Sequence, residues 1–82
     1  MRVLRLHSEI QDYLKKNNLV GKFAKQKKLF EANPFHPSLH TELLQPKNMR
    51  IWSFRLDVKY RAIFIFWNKN EAEIIEVNNH YR

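Results

Sequence analysis

The chain has 82 residues, contains no cysteine and carries a formal net charge of +7, from 15 Lys and Arg against 8 Asp and Glu. That length suits one domain, residues 1–82, with one small core, and the lack of cysteine excludes a disulfide framework and thiolate metal sites. No stretch reads as a signal peptide or membrane span, so the expected compartment is the cytoplasm. Apolar residues make up 44% and charged residues 28%, a globular composition. The charge is uneven: eight basic and two acidic residues lie between Met1 and Phe30. A small cationic body of this kind favours a polyanionic partner, either nucleic acid or an acidic protein segment.

Arg2 to Leu6 alternates polar and apolar residues and predicts a short first strand. Ser8 is expected to cap a helix reaching about Asn17, with Ile10, Tyr13 and Leu14 at helical spacing. A second helix is expected from about Val20 to Asn33-Pro34, facing the core with Phe23, Ala24, Leu29 and Phe30. The residue before a proline avoids helical dihedrals, which ends it there. The two segments read as an antiparallel hairpin. Lys22, Lys25 and Lys28 recur along the second helix, and with Lys15 and Lys16 form a candidate nucleic-acid or ribosome surface.

Phe35 to Met49 shows no strong period and reads as a long, functional type of connection. Arg50 to Asp57 then predicts a strand with Arg50, Trp52 and Phe54 on one face and Ile51, Ser53 and Arg55 on the other. Lys59 to Trp67 is apolar on both faces and predicts a central strand covered on both sides. Trp52, Phe64, Phe66 and Trp67 are therefore assigned to the core. Asn68-Lys69-Asn70 predicts a hairpin turn using left-handed asparagine, and Ala72 to Asn79 a last strand containing Ile74, Ile75 and Val77. The expected class is α+β: an N-terminal strand, an antiparallel helical hairpin, then a three-stranded antiparallel meander forming a twisted sheet.

Trp52-Ser53-Phe54-Arg55, followed by Tyr60-Arg61-Ala62-Ile63-Phe64, resembles the strand motifs shared by many toxins of the RelE/ParE superfamily. Asn33-Pro34 and His36-Pro37-Ser38-Leu39-His40 resemble the linker after that family's helical hairpin, and Asn79-His80-Tyr81-Arg82 resembles the His-Tyr ending of its YoeB-like branch. The resemblance implies a toxin of a type II toxin–antitoxin system that cuts messenger RNA on the ribosome without a metal or other cofactor. In that reaction the ribose 2′-hydroxyl attacks the adjacent phosphorus, leaving a 2′,3′-cyclic phosphate and a free 5′-hydroxyl. It also implies an acidic antitoxin, bound in a hetero-oligomer over the basic face.

Such chemistry needs a base for the 2′-hydroxyl, cations for the charge growing on phosphorus and an acid for the leaving oxygen. Arg61 fits charge stabilisation, since guanidinium grips two phosphate oxygens and stays charged. The competing expectation pairs it with a carboxylate such as Glu76. Arg55 matches a second basic position. His80 suits the acid, with a reference pKa of about 6.5, and Tyr81 suits stacking or phosphate orientation. The family's linker glutamate is replaced here by His36-Pro37-Ser38, so the base is open among Glu42, His36 and His40. Lys47 and Arg50 are candidate contacts to RNA backbone. His7 receives no role. A ParE-like gyrase inhibitor, a family member that binds an antitoxin without cutting, and an unrelated basic RNA-binding domain are the alternatives.

Overall fold

In the computed structural model, which describes residues 1–79, the sheet has five strands in the order β1-β5-β4-β3-β2. They are β1 (Arg2–Val3), β2 (Glu42–Leu43), β3 (Trp52–Arg55), β4 (Tyr60–Asn68) and β5 (Glu71–Asn79), with α1 (Ser8–Lys16) and α2 (Val20–Ala32) between β1 and β2. Only the β1–β5 pairing is parallel; the other three are antiparallel. The α+β class follows as expected, with the meander extended by a short strand from the linker.

Both helices cover one face of the sheet. From α1 come Ile10 and Leu14, and from α2 come Phe23 and Phe30; they meet Val3, Phe54, Ala62, Phe64, Ala72, Ile74 and Val77 from the strands. Phe30 is wholly buried among sheet aromatics, with ring centroids 5.0 Å from Phe54, 4.9 Å from Phe64 and 6.3 Å from Phe66. These offset and edge-on arrangements are the ones the ring quadrupole favours. Ala24, expected in the core, is exposed, and Gln26 is buried instead.

β1 is shorter than its alternating pattern suggested, because the chain lifts off β5 after Leu4, whose N–H still reaches the Ala72 carbonyl at 2.9 Å. The N-cap of α1 is His7 rather than Ser8, and it makes no side-chain cap. The turn at Asn68-Lys69-Asn70 forms without left-handed residues: Asn68 Oδ1 accepts the Asn70 N–H at 2.8 Å. The left-handed asparagine is Asn18, between the helices. β4 is central, but only one of its faces is covered by helices. On the other, Ile63 is buried, Ile65 half-buried and Trp67 62% exposed.

The linker is ordered by backbone bonds its sequence pattern did not reveal. It contains 3-10 turns at Pro37–Leu39 and Lys47–Met49 on either side of β2. Leu39 is fully buried, and Thr41 Oγ1 donates to the Pro34 carbonyl at 2.5 Å. Gln26 bridges the layers, its Nε2 donating to the Arg55 carbonyl at 2.8 Å and the Ser38 carbonyl at 3.3 Å. Removing this amide strips both carbonyls of that shared donor in a region with little water. Gln26→Leu is expected to destabilise the protein by about 1–3 kcal/mol, measured as a lower urea midpoint with unchanged slope. An unchanged midpoint would show that the bridge contributes nothing.

Candidate functional site

Alternation along β3 and β4 sends Phe54, Ala62 and Phe64 to the core and Ser53, Arg55, Arg61 and Ile63 to the open face. The register then sets two rows across the sheet. Arg55, Arg61 and Asn78 stand side by side on β3, β4 and β5. In the next row Glu42, Ser53, Ile63 and Glu76 stand on β2, β3, β4 and β5. Over β3 the returning linker closes a cleft of about 300 Å³ lined by His40, Thr41, Glu42, Ser53, Arg55 and Arg61.

Two arginines directly opposite each other repel, and such a pair is destabilising unless an anion lies between them. The nearest acid falls short of neutralising them. Arg61 Nη1 lies 3.9 Å from Glu42 Oε1, too far for a hydrogen bond. The Arg61 side chain is only 23% exposed, against 63% for Glu42. Its Nε is buried without a hydrogen-bond partner among the described residues, as is the neighbouring Asn78 Oδ1. Glu76, the alternative partner for Arg61, instead accepts from Asn78 Nδ2 at 2.6 Å. The cleft is therefore cationic and part-dehydrated, with a buried guanidinium N–H unused, a setting suited to a phosphate or other oxyanion.

The three candidate bases separate. His36 does not line the cleft; its Nδ1 accepts the Ser38 N–H at 3.1 Å and caps the 3-10 turn. His40 and Glu42 both line it, His40 with a left-handed φ of 48°. The proposed acid His80 and its neighbour Tyr81 lie outside the described residues.

The remaining cations are spread out. Lys22 pairs with Asp57 at 2.7 Å, and Lys25 lines the same groove beside Gln26 and Ser38. Lys28 and Lys47 are exposed. Arg50 has a left-handed φ of 55° and stacks its guanidinium 5.7 Å over Trp52, so it ends the second 3-10 turn and does not start β3. Trp67 is also not a core residue: its indole donates to Glu73 at 2.8 Å, and the same carboxylate pairs with His7 at 2.6 Å. Sequence reading missed Ser53, Asn78 and Gln26. The first two follow from the alternation and register once the strands are aligned; nothing in the pattern of α2 marked Gln26.

This architecture is a known one. The chain is similar to a YoeB/ParE toxin from Agrobacterium tumefaciens, with a TM-score of 0.73 and 18% identity over 99% of this chain and 100% of that one. It is also similar to a chain of a YoeB-YefM complex from Staphylococcus aureus, with a TM-score of 0.72 and 18% identity over 99% of this chain and 98% of that one. A heterotetrameric YoeB-YefM toxin-antitoxin complex from the same organism gives 0.72, 17%, 99% and 98%. The fold is that of these toxins. No protein-family model and no curated protein matches the sequence. Among the described residues, no helix is long and apolar enough to cross a membrane.

Asp57 secures the turn that presents Arg61. Burial pushes its carboxyl pKa up, but hydrogen bonds from Lys22 and from the Tyr60 and Lys59 amides outweigh that and hold it below the usual range. A depressed carboxylate pKa adds stability that is fully present above the unfolded value, about 3.9, and is lost as pH falls through the folded value. Asp57→Asn is expected to be less stable than the parent at neutral pH, with the two urea midpoints converging below about pH 4. A gap independent of pH would show that the charge is not what stabilises the turn.

Proposed function

We propose that this chain is the toxin of a type II toxin–antitoxin system and that it cleaves messenger RNA on the ribosome. The observation that carries the reading is the meeting of Arg55, Arg61 and Glu42 in one cleft of a YoeB/ParE-type fold. The sequence resemblance to the RelE/ParE superfamily supports it independently. In the cytoplasm the acidic antitoxin would neutralise this face, as the toxin–antitoxin pairing of the Staphylococcus aureus neighbours suggests.

The chemistry then distributes as follows. Arg61 and Arg55 bind the non-bridging oxygens of the scissile phosphate and hold the charge that grows as the phosphorane forms. Glu42 accepts the 2′-hydroxyl proton, with His40 the other base within the cleft. The 2′-oxygen bonds to phosphorus, the bond from phosphorus to the 5′-oxygen breaks, and His80 delivers the proton that oxygen needs. Tyr81 orients the phosphate or stacks on a base. Products are a 2′,3′-cyclic phosphate and a 5′-hydroxyl, and the reaction calls on no cofactor. Lys47 and Arg50, beside β2, contact the RNA backbone, and Lys22, Lys25 and Lys28 face the ribosome.

One observation favours a second reading. The Agrobacterium tumefaciens neighbour carries the ParE name beside YoeB, and inhibition of DNA gyrase is the corresponding activity. Cell-free translation with purified protein, mapping messenger 5′ ends, separates the two. Ribosome-dependent breaks are expected. Arg61→Ala should reduce them about 100-fold or more, and Glu42→Gln by about 10²–10⁴. Intact messenger, together with blocked supercoiling by gyrase, would overturn the nuclease reading. Full activity in Glu42→Gln would transfer the base to His40.

A further inference from the structure

The open face of the sheet carries a second feature, away from the arginine cleft. Trp67 is 62% exposed and is the extra residue of a bulge, since Phe66 pairs with Ala72 and Asn68 with Glu71. Its indole Nε1 donates to Glu73 Oε1 at 2.8 Å. The other oxygen of Glu73 pairs with His7 Nε2 at 2.6 Å. Glu73 stands opposite Ile65 on the open face, so the indole is tied down on the side that bears the arginines. An exposed tryptophan on a free rotamer would lose entropy on binding; one already anchored through its N–H loses much less. The bulge and the hydrogen-bond chain thus hold a large flat π-surface toward solvent in one orientation.

Trp67 and Arg61 share a strand and a face. They are six positions apart, about 20 Å at a rise of about 3.3 Å per residue. On the open face of β4 between them stand Ile63, buried, and Ile65, half-buried, both uncharged. Glu76 and Glu73 stand opposite them on β5, Glu76 held by Asn78 and Glu73 by His7 and the indole, so an RNA strand keeps to the β3 side of β4. A single RNA strand alternates charged phosphates with flat bases. With a phosphate held by Arg55 and Arg61, a base a few nucleotides along lies level with the indole. Every base has a π-face, so such a platform accepts RNA without demanding one sequence. A protein partner would be better served by a ring of apolar neighbours, whereas Asn68, Lys69 and Asn70 beside Trp67 are polar and exposed.

We propose that Trp67 is a base-stacking platform for single-stranded RNA whose phosphate is held by Arg55 and Arg61, and that Glu73 and His7 are positioning residues that fix its indole. The inference rests on the nuclease reading above and adds a second contact point, which sets how long an RNA the protein grips.

Binding of two unstructured RNAs to the purified protein tests it, by fluorescence anisotropy at low salt. A dinucleotide reaches the arginines alone, and a longer oligonucleotide reaches Trp67 as well. Trp67→Ala is expected to weaken the longer RNA about 5- to 100-fold and to leave the dinucleotide unchanged. Trp67→Phe, which keeps a stacking ring but lacks the N–H that Glu73 holds, should recover only part of the loss. Glu73→Ala should weaken the longer RNA by a smaller factor than Trp67→Ala while the circular dichroism spectrum stays that of the parent. Arg61→Ala should weaken both RNAs. Equal binding of the longer RNA by parent and Trp67→Ala, with Arg61→Ala still impaired, overturns the platform and leaves the nuclease reading intact. A parent that binds neither RNA but cuts messenger on the ribosome also overturns the platform alone. A parent that neither binds nor cuts overturns both. Unchanged RNA binding by Trp67→Ala together with lost binding of an acidic protein partner would reassign the indole to a protein interface.

Discussion

Phe30 sits at the point where the helical layer meets the sheet, wholly buried against Phe54 and Phe64, with Phe66 beside them. Three sheet rings packed around Phe30 leave little freedom in how α2 crosses the sheet, because large rings pack without voids in few arrangements. Fixing α2 fixes Gln26 one turn earlier, and Gln26 holds the backbone of β3 at Arg55 and of the linker at Ser38. The linker in turn delivers His40, Thr41 and Glu42 over the open face. The polar cleft on one side of the sheet is therefore assembled by apolar packing on the other.

The same alternation that buries Phe54, Ala62 and Phe64 puts Arg55 and Arg61 opposite each other. Two guanidinium groups in register are a poor choice for stability alone. The sheet pays for them with its aromatic core, and Glu42 at 3.9 Å relieves the repulsion only in part. A binding site for an oxyanion is the arrangement in which that repulsion becomes useful, since the ligand supplies the missing counter-charge.

Much of this was legible in the chain. The helical hairpin and the meander follow from periods of 3.6 and 2 and from the proline after Asn33; that Arg55 and Arg61 share one side needed the strand register as well. What was hidden has identifiable causes. β2 is two residues long and has no period, so Glu42 gained its position only through pairing with Ser53. Apolar residues on both sides of β4 suggested cover on both sides, but Ile63 is buried without a second layer and Trp67 stands in solvent. Bulges at Ile75 and Trp67 change which way side chains point without any signal in composition. Gln26 is polar and nothing local marks it, because the carbonyls that hold it come from segments distant in sequence.

The parallel pairing of β1 with β5 has a bearing on the order of assembly. Arg2 and Glu71 are 69 residues apart, yet they share an ion pair and adjacent register. The β3–β4 and β4–β5 hairpins and the helical hairpin all close over short spans and can form early. The seam between β1 and β5 closes a loop that includes nearly everything else, and only two residues of β1 join it. It is the natural last step of folding and the first place to open. A nascent chain cannot close this seam until Glu71 and Ala72 have been made, by which point every residue lining the arginine cleft, the last being Arg61, has already been synthesised.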